Sequence, residues 1–502
     1  MSSSSRLVRG LSPGRPVSGV LRPPASKSAA QRVLLAALLA EGTSRLRGLG
    51  TVRAEGAEDE NTRGTTSASG EVDLPAACDD VRAALGVVRA LGARVRAEGE
   101  ELVVTGTGGR PVAAPIRVGE SGTLARIATA IVAWCADGGT PEQPERPERD
   151  VTIEADGSLR SRRSPALLEA LSASGVRIGF PQGQERRGDW PLHVVPRAPR
   201  ERSLRIAQPG SSQEVSALLF CAAGRLTRDA QDEAHWRVRS KGPLPSRPYV
   251  GLTLDVLERF RVTAAAHEGV DDFRWQLVGR LQAPRERLEV EADASAAAVA
   301  LAAGVLSGGR VAIEGIPATS AQGDARILEH LCAFGCDARR EADQLVATGA
   351  PVRRAVLDLE REPDLAPVLA VVAAAAARTS GARSRLTGLG TLRGKESDRI
   401  AVLAAGLEAC GYAVQASDDA LEIGPGAQPG TYKQGRGDAM GASGSGEAAR
   451  ALALDPHGDH RMAFAFALLG LLHDGVRVRD PDCVSKSWPG FWDDLEALSG
   501  SS

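Results

Sequence analysis

Four segments of this 502-residue chain put a small or hydroxyl side chain at the expected start of a helix and a basic side chain about one turn inside. In PPASKSAAQRVLLAALLA, Lys27 and Ser28 open an apolar helix, and Arg32 follows Ser28 on the same face. In GESGTLARIATAIVAW, the Ser121-Gly122-Thr123 turn leads into a helix carrying Arg126. In PGSSQEVSALLFCAAG, the opening residues are Ser211, Ser212 and Gln213. In LRGKESDRIAVLAAGL, Lys395 and Arg399 are four apart, which on a helix places them on one face, with Glu396 in the same turn. A helix N-terminus presents free N–H groups and the positive end of the helix dipole, so each segment suits a phosphate or carboxylate. Singly, each also reads as an ordinary cap with a solvated arginine. Four together point to a ligand with several anionic groups.

Three further segments stand out by residue type. Asp364 directly precedes the apolar run LAPVLAVVAAAAA, where by itself it reads as a helix cap. Asp459, His460 and Arg461 stand at the mouth of another apolar run, MAFAFALLGLL, and no second His or Cys lies at ligand spacing from His460, so no metal site is expected. Lys486 in CVSKSWPGFWDDL, taken alone, is a surface lysine.

These residues are carried by a recurring pattern: a short strand, a helix of apolar and charged residues, a small residue, then alternating strands. Three copies are legible, from SRLRGLG with DDVRAALGVVRALGARVRAEGEELVVTG, from VAIEGI with GDARILEHLCAFGCDARREADQLVATG, and from SRLTGLG with KESDRIAVLAAGLEACGYAVQASDDALEIG. Weaker copies follow Arg163 and Tyr249. Repeated helix-and-strand units predict an α/β architecture in which helices bury one face against shared sheets. Val52 to Leu74, Asp137 to Arg149 and Gln428 to Arg450, rich in Gly, Ser, Pro, Glu or Arg, read as loops.

With 61 Lys and Arg against 63 Asp and Glu, the net charge of -2 gives no global attraction to nucleic acid or an anionic membrane. Any anion site is therefore local. The seven cysteines are scattered without a CxxC pair, so buried free thiols are expected rather than disulfides or a zinc ribbon. No apolar stretch reaches the roughly 20 residues a bilayer span requires. The polar MSSSSRLVRG start lacks a secretory signal's apolar core, and a cytoplasmic location is expected.

The ordered series PPASKSAAQR, GESGTLAR, SLRSRRS, GSSQEVSALL, SRPYVGLTL, EADASAAAVALAAG, PDLAPVLAVVAA, LRGKESDRI, GDHRM and DPDCVSKSWPGFW resembles the 5-enolpyruvylshikimate-3-phosphate synthase family, from about Ser18 to Leu498. The resemblance implies an α/β (α+β) two-domain enolpyruvyl transferase fold, each domain of three βαβαββ repeats with the active site in the cleft. One domain is expected to span 1–25 plus 291–502 and the other 26–290. The implied reaction moves the enolpyruvyl group of phosphoenolpyruvate to the 5-hydroxyl of shikimate 3-phosphate, releasing phosphate, on the route to chorismate and aromatic amino acids. It needs no metal or organic cofactor. The partners are these two small molecules, and a monomer is expected.

Residue by residue, the resemblance puts Lys27, Ser28, Arg32, Ser211, Ser212, Gln213, Ser246, Asp364 and Lys395 around shikimate 3-phosphate, with Tyr249 supporting that pocket. It puts Lys27, Gly122, Arg160, Gln213, Arg399, Arg461 and Lys486 around phosphoenolpyruvate. Asp364 is the expected acceptor of the 5-hydroxyl proton, Glu396 the group exchanging a proton at the methyl carbon, and Lys27 the stabiliser of the departing phosphate. Unaltered Gly122 leaves room for the phosphoenolpyruvate-competitive inhibitor glyphosate. Three positions depart from the pattern: Ala25 for a usual Gly, Arg163 for a usual Pro, and Thr391 for a frequent Asn at the shikimate phosphate. The alternatives are a paralogous transferase with another acceptor, such as UDP-N-acetylglucosamine, and a non-catalytic ligand-binding descendant. Lys27-Ser28 and the lack of a Cys between Gly119 and Arg126 count against the UDP-sugar family.

Overall fold

A computed structural model describes residues 8–50, 52–54, 72–136, 150–181, 188–197, 199, 201–229, 235–426 and 452–500. The loop readings at 137–149 and 428–450, and most of 52–74, lie outside these residues; the described ends of the last pair as short antiparallel strands, Arg53–Ala54 with Val72–Asp73. The chain divides into two compact units, Pro24–Glu291 and Met1–Pro23 with Ala292–Ser502.

The Pro24–Glu291 unit holds three four-stranded sheets. In the third, Ser203–Ala207 leads through α5 (Ser212–Asp229) to a parallel strand, Trp236–Lys241, and then through α6 (Pro248–Arg259) to the hairpin Val262–Glu268 and Asp272–Gly279. This is a βαβαββ unit. Leu204, Ile206, Trp236, Val238, Phe273, Trp275 and Leu277 alternate inward against the helices, so the period of two in the sequence becomes one buried sheet face. The second sheet repeats the order from Ile116–Arg117 through α3 (Gly122–Cys135), Val151–Glu154 and α4 (Pro165–Ala173) to Arg177–Gly179 and Leu192–Val195. The first is built from α1 (Lys27–Leu39), Thr43–Arg47, α2 (Asp79–Ala90), Arg94–Glu98 and Glu101–Thr105. Its remaining strand comes from the far end of the unit: Leu288–Glu289 pairs parallel with Leu46 and Arg47. There too the Ser26 N–H donates to the Glu291 carbonyl at 2.8 Å. The unit's first and last residues lie side by side.

The other unit repeats the scheme. Gly19–Leu21 pairs parallel with Arg310–Ile313, although Val20 and its partner Ala312 are far apart in sequence, and Asp337–Glu341 and Gln344–Thr348 complete that sheet. Its helices are α7 (Ala294–Ser307) and α8 (Ile327–Ala333). A second sheet combines Val356–Asp358, Ser384–Thr387, Ala413–Ala416 and Leu421–Gly424 with α9 (Ala366–Ser380) and α10 (Arg399–Ala409). A third, three-stranded sheet joins Val8–Arg9, Leu452–Leu454 and Val476–Arg479 with α11 (His460–Leu472) and α12 (Phe491–Gly500). The five copies read from the sequence are all present, and the weaker two are full units.

Alanine-rich α7 and α9 and the apolar α11 are buried almost along their lengths. Small side chains let helices approach closely: a Cβ on Gly406 of α10 would lie 2.3 Å from the Phe466 ring of α11. The scarce aromatics gather where the chain turns into α12. Phe491 lies 4.6 Å from Phe464, 5.3 Å from Trp488 and 4.8 Å from Trp492, ring centre to ring centre. This cluster anchors the Pro481–Lys486 turn. Cys78, Cys135, Cys221, Cys336 and Cys410 are buried free thiols, whereas Cys332 is exposed and Cys483 half-buried.

Candidate active site

In the Pro24–Glu291 unit, three helix starts each gather polar side chains. The Ser26 hydroxyl accepts from Ala29 N–H and caps α1, leaving Lys27 at its first position, 3.4 Å from the Asp80 carboxylate. Arg32, one turn inside, is 1% exposed. Its guanidinium donates to the Ser28 carbonyl at 2.8 Å, the Thr253 hydroxyl at 2.8 Å, the Tyr249 carbonyl at 3.4 Å and the Ser216 hydroxyl at 3.5 Å. All four partners are neutral. Burial lowers its pKa to about 10, partly opposed by Tyr249.

Ser121 caps α3 and donates to Gln31 on α1 at 3.1 Å. Buried Arg126 donates to the Gly122 carbonyl at 3.0 Å, Gln213 Oε1 at 3.1 Å and the Arg163 carbonyl at 3.1 Å, and lies over the Trp190 ring. Burial also lowers it to about 10, opposed by Glu214. Beside Gly122 a Cβ would stand 2.8 Å from Arg126, 3.2 Å from Arg162 and 3.3 Å from Gln213. Gln213 follows Ser211 and Ser212 at the start of α5, its N–H bonded to the Ser211 hydroxyl at 3.2 Å. Ser246, just before α6, holds φ at 53°, in the left-handed region that a serine adopts only under constraint.

In the other unit one guanidinium organises three carboxylates. Arg399, 2% exposed, is the first residue of α10 and donates to Asp459 at 2.8 Å, Asp364 at 2.8 Å and Glu396 at 2.7 Å. Further cations sit around this hub. Lys395 lies 3.5 Å from Asp364, Arg461 lies 3.2 Å from the other Asp364 oxygen, and Lys486 lies 3.2 Å from Glu396. Asp459 caps α11, accepting from Arg461 N–H at 2.9 Å. Burial alone would raise the Asp364 carboxyl, but Arg461, Lys395 and Arg399 outweigh it and hold the group well below the usual carboxylate range. Arg399 is raised against its burial by Asp459, Glu396 and Asp364. Lys395 is lowered by burial, with Asp364 opposing.

Asp364 does not cap α9. It sits in the Pro363–Leu365 turn, Leu365 is the residue before the helix, and no side chain closes that end. Lys486 is not a surface lysine; it is 7% exposed. Lys395 and Arg399 do not share a helix face, because Asp398 caps α10 at Ala401 N–H and Lys395 stays in extended backbone before it; both nevertheless reach Asp364.

Within each unit the expected residues largely converge: Lys27, Ser28, Arg32, Gly122, Ser211, Ser212 and Gln213 at three neighbouring helix starts, and Asp364, Lys395, Glu396, Arg399, Arg461 and Lys486 around one hub. Arg160 is exposed, whereas Arg162, two residues on, brings its guanidinium to Gly122. Sequence reasoning also passed over Asp324, which is 1% exposed and bonded to the Ser295 hydroxyl. At Thr391 a buried hydroxyl has no hydrogen-bond partner among the described residues. Also among these residues, no group of three or more His, Cys, Asp or Glu side chains is placed to hold a metal ion, and no helix is long and apolar enough to cross a membrane.

The family model for EPSP synthase (3-phosphoshikimate 1-carboxyvinyltransferase) matches residues 66–495. A 3-phosphoshikimate 1-carboxyvinyltransferase of Methanopyrus kandleri is 34% identical over 490 residues, 96% of each chain. One of Cupriavidus necator is 31% identical over 502 residues, covering 98% of this chain and 99% of its own. Among solved structures, an EPSP synthase of Acinetobacter baumannii superposes with a TM-score of 0.65 at 20% identity, covering 97% of both chains. The enolpyruvyl transferase NikO of Streptomyces tendae superposes with a TM-score of 0.57 at 18% identity, covering 98% of this chain and 97% of its own. These likenesses show the enolpyruvyl transferase fold. With the family model matched over most of the chain and relatives above 30% identity spanning nearly all of it, the chain belongs to the EPSP synthase family.

Proposed function

We propose that the protein transfers the enolpyruvyl group of phosphoenolpyruvate to the 5-hydroxyl of shikimate 3-phosphate, giving 5-enolpyruvylshikimate 3-phosphate and phosphate in the shikimate pathway. The observation that carries the reading is the Arg399 hub, where two carboxylates, Asp364 and Glu396, stand in hydrogen-bond contact with cations that ligand anions can take over. Each substrate bears a carboxylate and a phosphate. Arg32 and Arg126, buried and bonded only to neutral oxygens among the described residues, suit such anions.

The reaction adds a proton to the methylene carbon of phosphoenolpyruvate, joins the 5-oxygen to the neighbouring carbon, then expels phosphate as a methyl proton leaves. In our reading Asp364 accepts the 5-hydroxyl proton and Glu396 exchanges the proton at the methyl carbon. Free of ligand, Asp364 is a weak base because three cations hold it. Substrate anions that engage Arg461, Arg399 and Lys395 would neutralise those cations and raise its proton affinity when the acceptor is bound. Lys27, Ser28, Arg32, Ser211, Ser212, Gln213, Ser246 and Lys395 are proposed to hold shikimate 3-phosphate. Lys27, Gly122, Gln213, Arg399, Arg461 and Lys486 are proposed to hold phosphoenolpyruvate, with Arg162 supported over Arg160 as the arginine of the SLRSRRS segment. The near-neutral net charge supports small anions as partners, and a cytoplasmic monomer is proposed.

Phosphate release from phosphoenolpyruvate with shikimate 3-phosphate, run beside UDP-N-acetylglucosamine and with the product weighed, tests the reading. Release with shikimate 3-phosphate alone is expected. Asp364→Ala and Glu396→Gln each lower kcat by roughly a hundredfold or more while circular dichroism stays native. Wild-type rates in both would sink the roles, and release only with the UDP-sugar would favour the paralogous reading.

A further inference from the structure

Asp324 is a buried carboxylate that these roles leave unused. It lies in the Gly323–Arg326 turn before α8, 1% exposed. One of its oxygens accepts from the Ser295 hydroxyl on α7 and lies 3.9 Å from Arg461. Its other oxygen has no hydrogen-bond partner among the described residues. Ser295 in turn accepts from Arg461 at 3.1 Å, and Arg461 reaches both the Asp364 carbonyl at 3.0 Å and its carboxylate at 3.2 Å. A single guanidinium is thus shared between two acids from different elements.

We propose that Asp324 is a positioning residue: held through the Ser295 hydroxyl, it competes with Asp364 for the Arg461 guanidinium and so sets how readily Asp364 accepts a proton. The inference rests on the role proposed above for Asp364. The charged groups facing Asp324 are Arg461 on α11, Asp364 on the turn before α9, and Asp293 at the start of α7. Neighbouring Arg326 turns away to Glu329 and Glu362. Burial pushes the Asp324 carboxyl up to about 7, Arg461 opposes, Asp364 adds to the rise, the Ser295 hydrogen bond opposes, and Asp293 adds again. Protonated, Asp324 releases Arg461 to Asp364 and makes Asp364 a poorer base. Ionised, it draws on Arg461 and repels Asp364, and Asp364 becomes a better one.

The test is the pH profile of kcat in Asp324→Asn, which keeps shape and loses the charge. In the wild type kcat is expected to rise through a limb near pH 7. In the variant the limb disappears, with kcat down roughly tenfold at pH 8 and less than about threefold at pH 6. A merely structural role would lower both equally, and an unchanged limb would overturn the proposal. Ser295→Ala guards against a misfolded variant. Because the Ser295 hydrogen bond lowers the Asp324 pKa, its loss moves the limb to higher pH, and an unmoved limb also overturns the proposal.

A reading independent of turnover comes from thermal unfolding. A carboxyl raised in the folded state keeps a proton that the unfolded chain gives up near pH 4, so its stabilising contribution is lost as pH climbs from about 4 to 7. The Tm advantage of Asp324→Asn over wild type therefore grows from pH 5 to pH 8; a constant difference counts against the proposal. Growth without any phosphate release from the two substrates would reject the proposed function while still showing the Asp324 carboxyl raised in the folded chain, and the proposal, which rests on that function, would fall with it.

Discussion

Gly122 is open on the side where Arg126, Arg162 and Gln213 meet, and a methyl there would crowd all three, with the tightest approach 2.8 Å. Two of these groups are proposed to face phosphoenolpyruvate. Gly122→Ala is expected to raise KM for phosphoenolpyruvate about tenfold, some 1.4 kcal/mol, with a smaller change in KM for shikimate 3-phosphate and native thermal stability. Steady-state kinetics check this, and equal shifts for both substrates would count against it. At this scale the sequence was informative where a residue's role follows from a helix start: Lys27, Gln213 and Arg461 lie at the positions their motifs imply. It was silent where the route is tertiary. Arg160 and Arg162 lie in one short arginine-rich segment, and only the turn at Gly157–Ser161 decides which points to Gly122. Asp324 looks like any acid at a helix start, because its contact with Arg461 spans more than a hundred residues.

At the scale of elements, Asp459 joins α11 to α10: it caps the first helix and holds the arginine that begins the second. Asp459→Ala loses the cap and leaves Arg399, 2% exposed, short of a counter-charge. Removing one partner of a buried pair costs roughly 3–5 kcal/mol. Asn caps nearly as well as Asp, so Asp459→Asn restores only the capping share, about 1 kcal/mol. Urea unfolding of both variants separates the two parts, and an Asn variant as stable as wild type would show the charge to be dispensable. Periodicity marks the helices, but α10 begins at Arg399, later than the spacing from Lys395 predicts. A run of KESDR satisfies helical spacing from Lys395, yet Asp398 competes by hydrogen-bonding its own backbone and starts the helix four residues later than Lys395.

Over the whole molecule, Pro24–Glu291 is one continuous stretch that holds three four-stranded sheets among its described residues, and its ends are tied by the Ser26–Glu291 hydrogen bond and the Leu288–Glu289 strand. Residues 24–291 expressed alone are expected to fold, giving a cooperative melt and resistance to limited proteolysis; rapid, uniform digestion would contradict this. The repeat pattern made the α/β class legible. The completion of one sheet by a strand from the far end of its unit was not, because two-residue strands such as Leu288–Glu289 carry no periodicity.

The pairing of Gly19–Leu21 with Arg310–Ile313 has a consequence for the birth of the protein. Val20 must wait for Ala312, 292 residues later, before its sheet exists. At typical synthesis rates of about 5–20 residues per second that delay is roughly 15 to 60 s. During this interval the intervening stretch emerges entire and, with its ends adjacent, can settle on the ribosome. A strand made near the start of the chain thus waits until more than half of the chain has been made before it meets its neighbour, and until then it trails as an unpaired edge that a chaperone would have reason to cover.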